Sequence, residues 1–484
     1  MHKRIVTNII ARISIIVCLF MAIPLGWALH DNPHHIEVVA FSETILFGLA
    51  MAGIFLWIFR MKPEDYKRIG AKDGLAIVGL SWIVLSALGA LPLYLSQSAP
   101  TYTDAFFETV SGFTTTGATV FTDIEALPRG ILFWRSLTHW LGGMGIIVLY
   151  IALLPALGVN VSQLYKAEAP GLIVERLDPR IKETAKQLWK VYFTLSLLEA
   201  VLLWLCGMSV FDALCHTFGT MATGGFSTKN ASIAAFGPQV QWVIIVFMFL
   251  SGINFVLHYQ VLHGRFRAPW KNEEFRTYFL LLICLIPIFA LVLFETNLAY
   301  YPIRDSAFQV VSILTTTGFV TADFELWPVG LKFLLVMLMF IGGCGGSTGG
   351  GMKVIRVLLV IKTAVASIIQ AVFPNAVILI KSNSKPLPDK TITALMSYFC
   401  LFVLLFAVGS GVILFTENCD LVTATTAAIS ALSNIGPGLA KVGATQNFGW
   451  FSIPGKWALI FLMLAGRLEL YSILILFAAS TWKK

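Results

Sequence analysis

The sequence predicts an all-α polytopic membrane protein: four pseudo-symmetric M1–pore helix–filter strand–M2 repeats around one central pore, plus an extra N-terminal helix pair. Three observations carry this reading. Of 484 residues 57% are hydrophobic and 12% charged, and a mean hydropathy of +0.81 excludes an ordinary soluble protein. Apolar runs of about 20 residues, each enough to cross a bilayer as a helix, recur from end to end. A pattern rich in Thr and Gly occurs four times at spacings of about one hundred residues, which marks an internal array.

The elements follow in order. Residues 9–29 and 38–60 give the N-terminal pair, within 1–60. Lys3, Arg4 and Arg12 precede the first apolar run, as in a secretory leader, but no small-residue cleavage site follows, so the run is read as a spanning helix. Spans at 74–95 and 131–157 bound a first repeat, 74–157; spans at 188–207 and 239–262 bound a second, 188–262. The third, 275–380, has spans at 275–296 and at 330–341 continuing into 354–380. That last stretch is long enough to cross alone, and Lys362 and Pro374 leave its depth open. Spans at 392–415 and 452–480 bound the fourth, 392–484. Basic residues fall in alternate loops: Arg60, Lys62, Lys67, Arg68 and Lys72; then Lys166, Arg176, Arg180, Lys182 and Lys186. Arg265, Arg267, Lys271 and Arg276 follow, then Lys381, Lys385 and Lys390, and finally Lys483 and Lys484. The positive-inside rule makes these loops and both termini cytoplasmic. The net charge of +8 therefore reports topology and contact with anionic membrane lipid, and no nucleic acid partner is expected. The seven cysteines lie mostly in or beside apolar segments without CxxC spacing, which argues against a zinc site or a disulfide framework.

The fourfold pattern reads DAFFETVSGFTTTGAT from Asp104, DALCHTFGTMATGGFST from Asp212 and DSAFQVVSILTTTGFVTAD from Asp305. A weaker copy, TATTAAISALSNIGPG, puts Thr423 in the Asp position. Alignment brings together Thr114, Thr115, Thr116 and Gly117; Ala222, Thr223, Gly224 and Gly225; Thr315, Thr316, Thr317 and Gly318; and Ser433, Asn434, Ile435 and Gly436. Asp or Thr is a good helix N-cap, and the next nine or so residues suit a helix of roughly 13 Å, about half of a hydrocarbon core near 30 Å thick. The chain must then return through a non-helical strand, tolerated at membrane depth only where it is buried in protein or lines a water-filled path. Four such strands on one axis offer rings of backbone carbonyls, with threonine hydroxyls as further oxygens, that replace the water of a dehydrated monovalent cation. The short helices aim their partially negative C-terminal ends at that ion. A single hydroxyl-rich loop would suit the capping of an outer helix end equally well; four aligned copies favour the pore.

These units, the Thr/Gly strands and a glycine-rich third M2 resemble the TrkH/TrkG/KtrB superfamily of potassium transporters, and the extra helix pair resembles its TrkH branch. The resemblance covers essentially the whole chain. It implies potassium uptake across a bacterial inner membrane, a homodimer, and a cytosolic ring of TrkA-type nucleotide-binding regulatory subunits, with the nucleotide on that partner and none on this chain. No strand carries the TVGYG signature of tetrameric potassium channels, and "ATGG" and "SNIG" depart from the two "TTTG" copies. Potassium is expected to be preferred over sodium by a narrower margin than in a TVGYG filter, with rubidium or caesium also passing.

Below the filter, "IGGCGGSTGGGMK" at 341–353 has seven glycines in ten positions. Glycine costs about 1 kcal/mol relative to alanine in a helix, so the stretch is read as a mobile intramembrane loop, with Gly345, Gly346, Ser347, Thr348 and Gly349 in the pore. Tight helix packing is the alternative. A Walker A reading fails because Met352 stands where lysine is required. The resemblance assigns the loop a gating role. Arg467, in "LAGRLEL", is an intramembrane charge read as an electrostatic barrier on the permeation path; a packing ion pair is the alternative, though Glu469 points to another helix face. The related family also carries a basic residue at this location. Glu199, Asn254 and His258 are polar residues within spans, read as hydrogen-bonding groups. Asp104, Glu108, Asp123, Glu125, Asp305, Asp323, Glu325 and Asp420 are placed around the outer entrance, where acidic groups concentrate cations.

The leading function is a channel-like potassium translocator gated by loop and arginine. The alternative is a secondary symporter coupling potassium to protons or sodium by alternating access. An enzyme is disfavoured, since the sequence offers no nucleophile–base pair, no HExxH and no metal-ligand cluster.

Overall fold

The structure is a computed structural model that describes residues 2–61, 65, 70–145 and 181–478. Residues 146–157 and 479–484 of the expected first and fourth repeats lie outside the described residues. So do the side chains of Lys62, Lys67, Arg68, Lys166, Arg176, Arg180, Lys182, Lys483 and Lys484. Helices α1 (Lys3–Asp31) and α2 (Ile36–Ile58) form an N-terminal hairpin that packs on the first of four units. That unit has M1 helix α3 (Ala71–Leu95), pore helix α4 (Tyr102–Phe113) and M2 helix α5 (Arg129–Gly143). The second has α6 (Ile181–Leu205), pore helix α7 (Val210–Met221), and an M2 split into α8 (Pro238–Ser251) and α9 (Phe255–Leu262), followed by the one-turn α10 (Ala268–Lys271). The third has α11 (Glu273–Glu295), pore helix α12 (Pro302–Leu314), and M2 pieces α13 (Val329–Ile341) and α14 (Val354–Val372). The fourth has α15 (Asp389–Thr416), pore helix α16 (Leu421–Ser433), and M2 pieces α17 (Ile453–Arg467) and α18 (Tyr471–Phe477). Seven described helices are long and apolar enough to cross a bilayer alone, which makes this a multi-pass membrane protein.

The pore helices begin earlier than the sequence suggests. Thr101 and Ser209 cap α4 and α7 by accepting from the amides of Asp104 and Asp212 at 3.1 and 3.0 Å, so these aspartates sit in the first turn. Asp420, three residues before Thr423, caps α16. The helices therefore run 12 or 13 residues, a rise of roughly 18 Å that still falls short of a hydrocarbon core about 30 Å thick.

The expected continuous M2 spans at 239–262 and 452–480 are both divided. The second unit bends by 100° between α8 and α9. There the Gly252 carbonyl accepts from Cys344 N at 2.9 Å, and the Asn254 side chain caps the new helix through Val256 N at 2.9 Å. In the fourth unit Glu469 and Leu470 adopt φ of 53° and 61°, incompatible with a continuous helix. Lys362 on α14 is paired with Glu273, the first residue of α11, which sets its depth at the end of the third M1 helix. A two-residue hairpin joins Lys381–Ser382 to Lys385–Pro386, with Asn383 and Ser384 at φ of 47° and 64°, as a type I′ turn requires.

The units pack in a closed cycle. The M2 helices α5, α8 and α13 each touch the pore helix of the following unit, and α17 of the last touches α4 of the first. A buried ion pair at 2.6 Å between Lys456 on α17 and Asp104 on α4 joins the same two units.

Candidate functional site

The four aligned segments adopt one backbone shape. Thr115, Thr223, Thr316 and Asn434 are left-handed at φ of 54–61°, and Gly117, Gly225, Gly318 and Gly436 two residues later at φ of 78–104°. In each, the intervening residue donates back to its pore helix: Thr116 N to Ser111 O at 2.8 Å, Gly224 N to Gly219 O at 2.7 Å, Thr317 N to Ser312 O at 2.8 Å and Ile435 N to Ser430 O at 3.0 Å. The glycines then pack so closely on the next strand that a β-carbon has no room. On Gly117 it would lie 2.1 Å from Gly224 O, on Gly225 2.1 Å from Thr317 O, on Gly318 1.8 Å from Ile435 O, and on Gly436 2.7 Å from Thr116 O. First meets second, second meets third, third meets fourth and fourth meets first: the strands form a ring.

Several of the hydroxyls are bonded within their own unit. Thr114 and Thr116 share a hydrogen bond at 2.8 Å, as do Thr315 and Thr317, while Thr114 and Thr315 also donate at 2.7 Å to Val110 O and Val311 O in their own pore helices. These side chains brace the strands from within each unit. The backbone carbonyls are the oxygens left in common to all four strands.

Both departures from TTTG have a physical reason. A β-carbon on Gly224 would stand 2.4 Å from the imidazole of His139, which fills the space that a side chain occupies in the other strands. His139 Nε2 accepts from Phe226 N at 3.2 Å. Its Nδ1 must then donate to Gly112 O, at 2.8 Å, so a neutral imidazole links first and second units. In SNIG, Asn434 is one of the residue types that tolerate the left-handed conformation, and its Nδ2 donates to Thr116 Oγ1 of the first strand at 3.0 Å and to Met463 O at 2.9 Å. Gly224→Ala is expected to lower stability by about 1–3 kcal/mol through overpacking, and Gly224→Ala with His139→Ala to regain part of that loss. Thermal unfolding of the wild type and the two variants checks this.

Behind the first strand, Arg135 and Glu108 form an ion pair at 2.7 Å with both side chains at most 2% exposed. Glu108 also accepts from Thr119 Oγ1 at 2.9 Å and Val120 N at 3.0 Å, and Arg135 lies 4.2 Å from the Phe226 ring of the second unit. Glu108 is thus no entrance carboxylate. The other seven acidic residues are also engaged: Asp104 with Lys456, Glu125 with Lys229, Asp305 with Arg304 and Glu325 with Lys332. Asp123 accepts from Asn230, and Asp323 and Asp420 cap short helices. The outer carboxylates mainly tie loops together. Removing one partner of a buried pair typically costs about 3–5 kcal/mol, so Glu108→Ala is expected to destabilise by that order, measured by unfolding, and more than Glu125→Ala at the exposed Lys229 pair.

Directly beneath the ring lies the glycine loop. Gly350 N donates to Thr316 Oγ1 at 2.6 Å, and a β-carbon on Gly349 would be 2.9 Å from Thr315 O. Thr348 Oγ1 lies 3.0 Å from Met221 O and 3.3 Å from Ser251 O. Gly345 N donates to Glu274 at 2.6 Å, Gly346 O accepts from Phe255 N at 3.0 Å and the Ser347 hydroxyl donates to Cys344 O at 2.6 Å. Arg467 reaches in from the fourth unit, donating to Thr348 O at 2.7 Å and to Gly142 O and Gly143 O of the first unit at 2.6 and 2.7 Å. Loop and arginine together touch all four units. A second cation, the buried Lys353, bonds Gly349 O; the sequence showed it only as the residue after a failed Walker motif. Glu469 is held by Arg356 at 2.5 Å, in keeping with its different face from Arg467. Asn254 and His258 make structural hydrogen bonds, and Glu199 is fully buried.

A closed ring of strands held at membrane depth by half-length helices defines a membrane transport protein. Residues 41–484 match the family model for TrkH, described as a cation transport protein, and the chain belongs to that family. The Trk system potassium uptake protein TrkH of Escherichia coli strain K12 is 42% identical over 493 residues, all of both chains. That of Salmonella typhimurium is 41% identical over the same full coverage, and the Trk system potassium uptake protein TrkG of Escherichia coli is 34% identical over 100% of this chain and 99% of its own. The crystal structure of the potassium transporter TrkH from Vibrio parahaemolyticus superposes with a TM-score of 0.86 at 37% identity, covering all of both chains. This is a family of transporters, not of enzymes.

Proposed function

We propose that the chain takes up potassium through a channel-like pore whose selectivity filter is the four-strand ring and whose gate is the glycine loop with Arg467. The closure of the ring through four glycine–carbonyl contacts is the observation that carries this reading. Alternation of left-handed residues turns successive carbonyls to one side of a strand, and four such strands surround a dehydrated cation with oxygens at fixed distance. The loop and the guanidinium of Arg467, with Lys353 beside them, oppose a cation beneath the filter by contact and by charge. The opening step is withdrawal of the loop from the strands, which breaks the bond from Arg467 to Thr348 O.

The same proposal places the protein in a bacterial inner membrane with both termini cytoplasmic, as a homodimer on a cytosolic ring of TrkA-type subunits whose bound nucleotide sets the position of the loop. The charge asymmetry of the loops supports the orientation, and the rest is what the resemblance to the family implies. Reversal potentials in reconstituted membranes test the mechanism. Under a fixed potassium gradient they should ignore imposed proton or sodium gradients; a shift with either would assign ion-coupled symport instead.

A further inference from the structure

We infer that the groove between the N-terminal helix pair and the first unit is a binding site for one anionic phospholipid, its acyl chain in the groove and its headgroup at the basic end. The groove encloses about 430 Å³ between α1, α2 and α3, and Tyr102, the first residue of pore helix α4, also lines it. Its hydroxyls are occupied: Thr7 donates to Lys3 O, Ser14 to Ile10 O and Tyr102 to Ala87 O, each at 3.0 Å. What faces the space is Phe47, Met51, Phe55, Val84 and Leu91. Such a wall offers water or an ion no partner, and an alkyl chain a continuous apolar surface. Phe47 and Val84 are exposed at 55% and 40% on helices that cross the bilayer, so the open side meets lipid hydrocarbon. Along α3 the lining runs from Leu80 to Leu91, a rise of roughly 17 Å that gives an alkyl chain a long apolar wall.

Charge selects the headgroup. The end marked by Thr7 and Phe55 is the end where Lys3 and Arg4 begin α1 and Arg60 follows α2, and Arg12, further along α1, turns back towards it to bond Asn8. Arg4 is bonded to the Arg60 carbonyl and Arg12 to Asn8 at 2.9 Å, and among the described residues no carboxylate pairs with any of the four. The neighbouring acid, Asp73, is engaged by His2 at 2.9 Å. Basic clusters at the edge of a membrane span attract anionic lipid. The site bears on the pore because α3 separates the groove from the filter: a β-carbon on Gly89 would lie 2.8 Å from Thr109 and 3.1 Å from Phe113 of α4.

Native mass spectrometry and thermal unfolding of the full chain in detergent, with phosphatidylglycerol or phosphatidylcholine added, test this. The wild type should retain one phosphatidylglycerol and gain thermal stability from it more than from phosphatidylcholine. Ala87→Trp, which fills the groove, should reduce retention by about tenfold or more, and Ser14→Phe serves if that variant does not fold. The triple variant Lys3→Ala, Arg4→Ala, Arg12→Ala should still retain lipid but lose the preference for phosphatidylglycerol. Undiminished retention in the filled variants, or no preference in the wild type, overturns the inference. So does a change in oligomeric state of Ala87→Trp with lipid retention intact, which would make the groove a contact between copies of the chain.

Discussion

Gly318→Ser is expected to abolish discrimination between potassium and sodium. A β-carbon at this position would stand 1.8 Å from Ile435 O and 2.9 Å from Pro437 Cδ, at a φ of 78°. The left-handed conformation alone costs a side chain about 1–2 kcal/mol, and the contact forces the fourth strand's carbonyl out of position. About 1.4 kcal/mol of lost binding is already tenfold in affinity, so potassium-dependent uptake at low concentration should fall by at least that order. The four glycines should also be graded. Gly117 and Gly225 come next at 2.1 Å, and Gly436, at 2.7 Å, should tolerate alanine best. Rubidium and sodium competition against potassium uptake measures the series; unchanged selectivity in Gly318→Ser would remove the ring from the ion path.

Deleting residues 345–349 is expected to raise basal potassium flux by about tenfold or more in liposomes lacking any regulatory partner, because the pore would lose its obstruction. The deletion removes the contacts of Thr348 with Met221, Ser251 and Arg467 together. Arg467→Ala should raise flux by a smaller factor, since the loop keeps its own bond from Gly350 to Thr316. Unchanged or lower flux in a folded deletion variant would return the glycine run to a packing role.

Hydropathy and one aligned pattern were enough to read the helical spans and the four segments, because both are properties of local sequence. What escaped depends on contacts between units. The partner of Glu108 is Arg135 on another helix, and nothing in a twelve-residue pore helix tells which face turns inward; the carboxylate therefore looked like one more acid at the entrance. Arg135 did give a signal, a charge within an apolar M2 segment, which is where such residues find buried partners. Gly224 was legible as a departure from TTTG, yet its cause is an imidazole 85 positions earlier in another unit. The break in the second M2 was signalled only by Gly252 and Asn254, too little against a strongly apolar run, and it takes the loop from the third unit to satisfy the Gly252 carbonyl.

The bonds that complete the ring join the two ends of the chain: Asn434 to Thr116, Lys456 to Asp104 and Arg467 to Gly142, over 318, 352 and 325 positions. Synthesis runs from the N-terminus, and folding follows it unit by unit. A nascent chain with three units inserted has an open-sided bundle, whose ring of strands lacks its last member. The segment that supplies that strand also supplies Arg467, so the ring closes and the guanidinium reaches Thr348 O together, after the glycine loop of the third unit has been made.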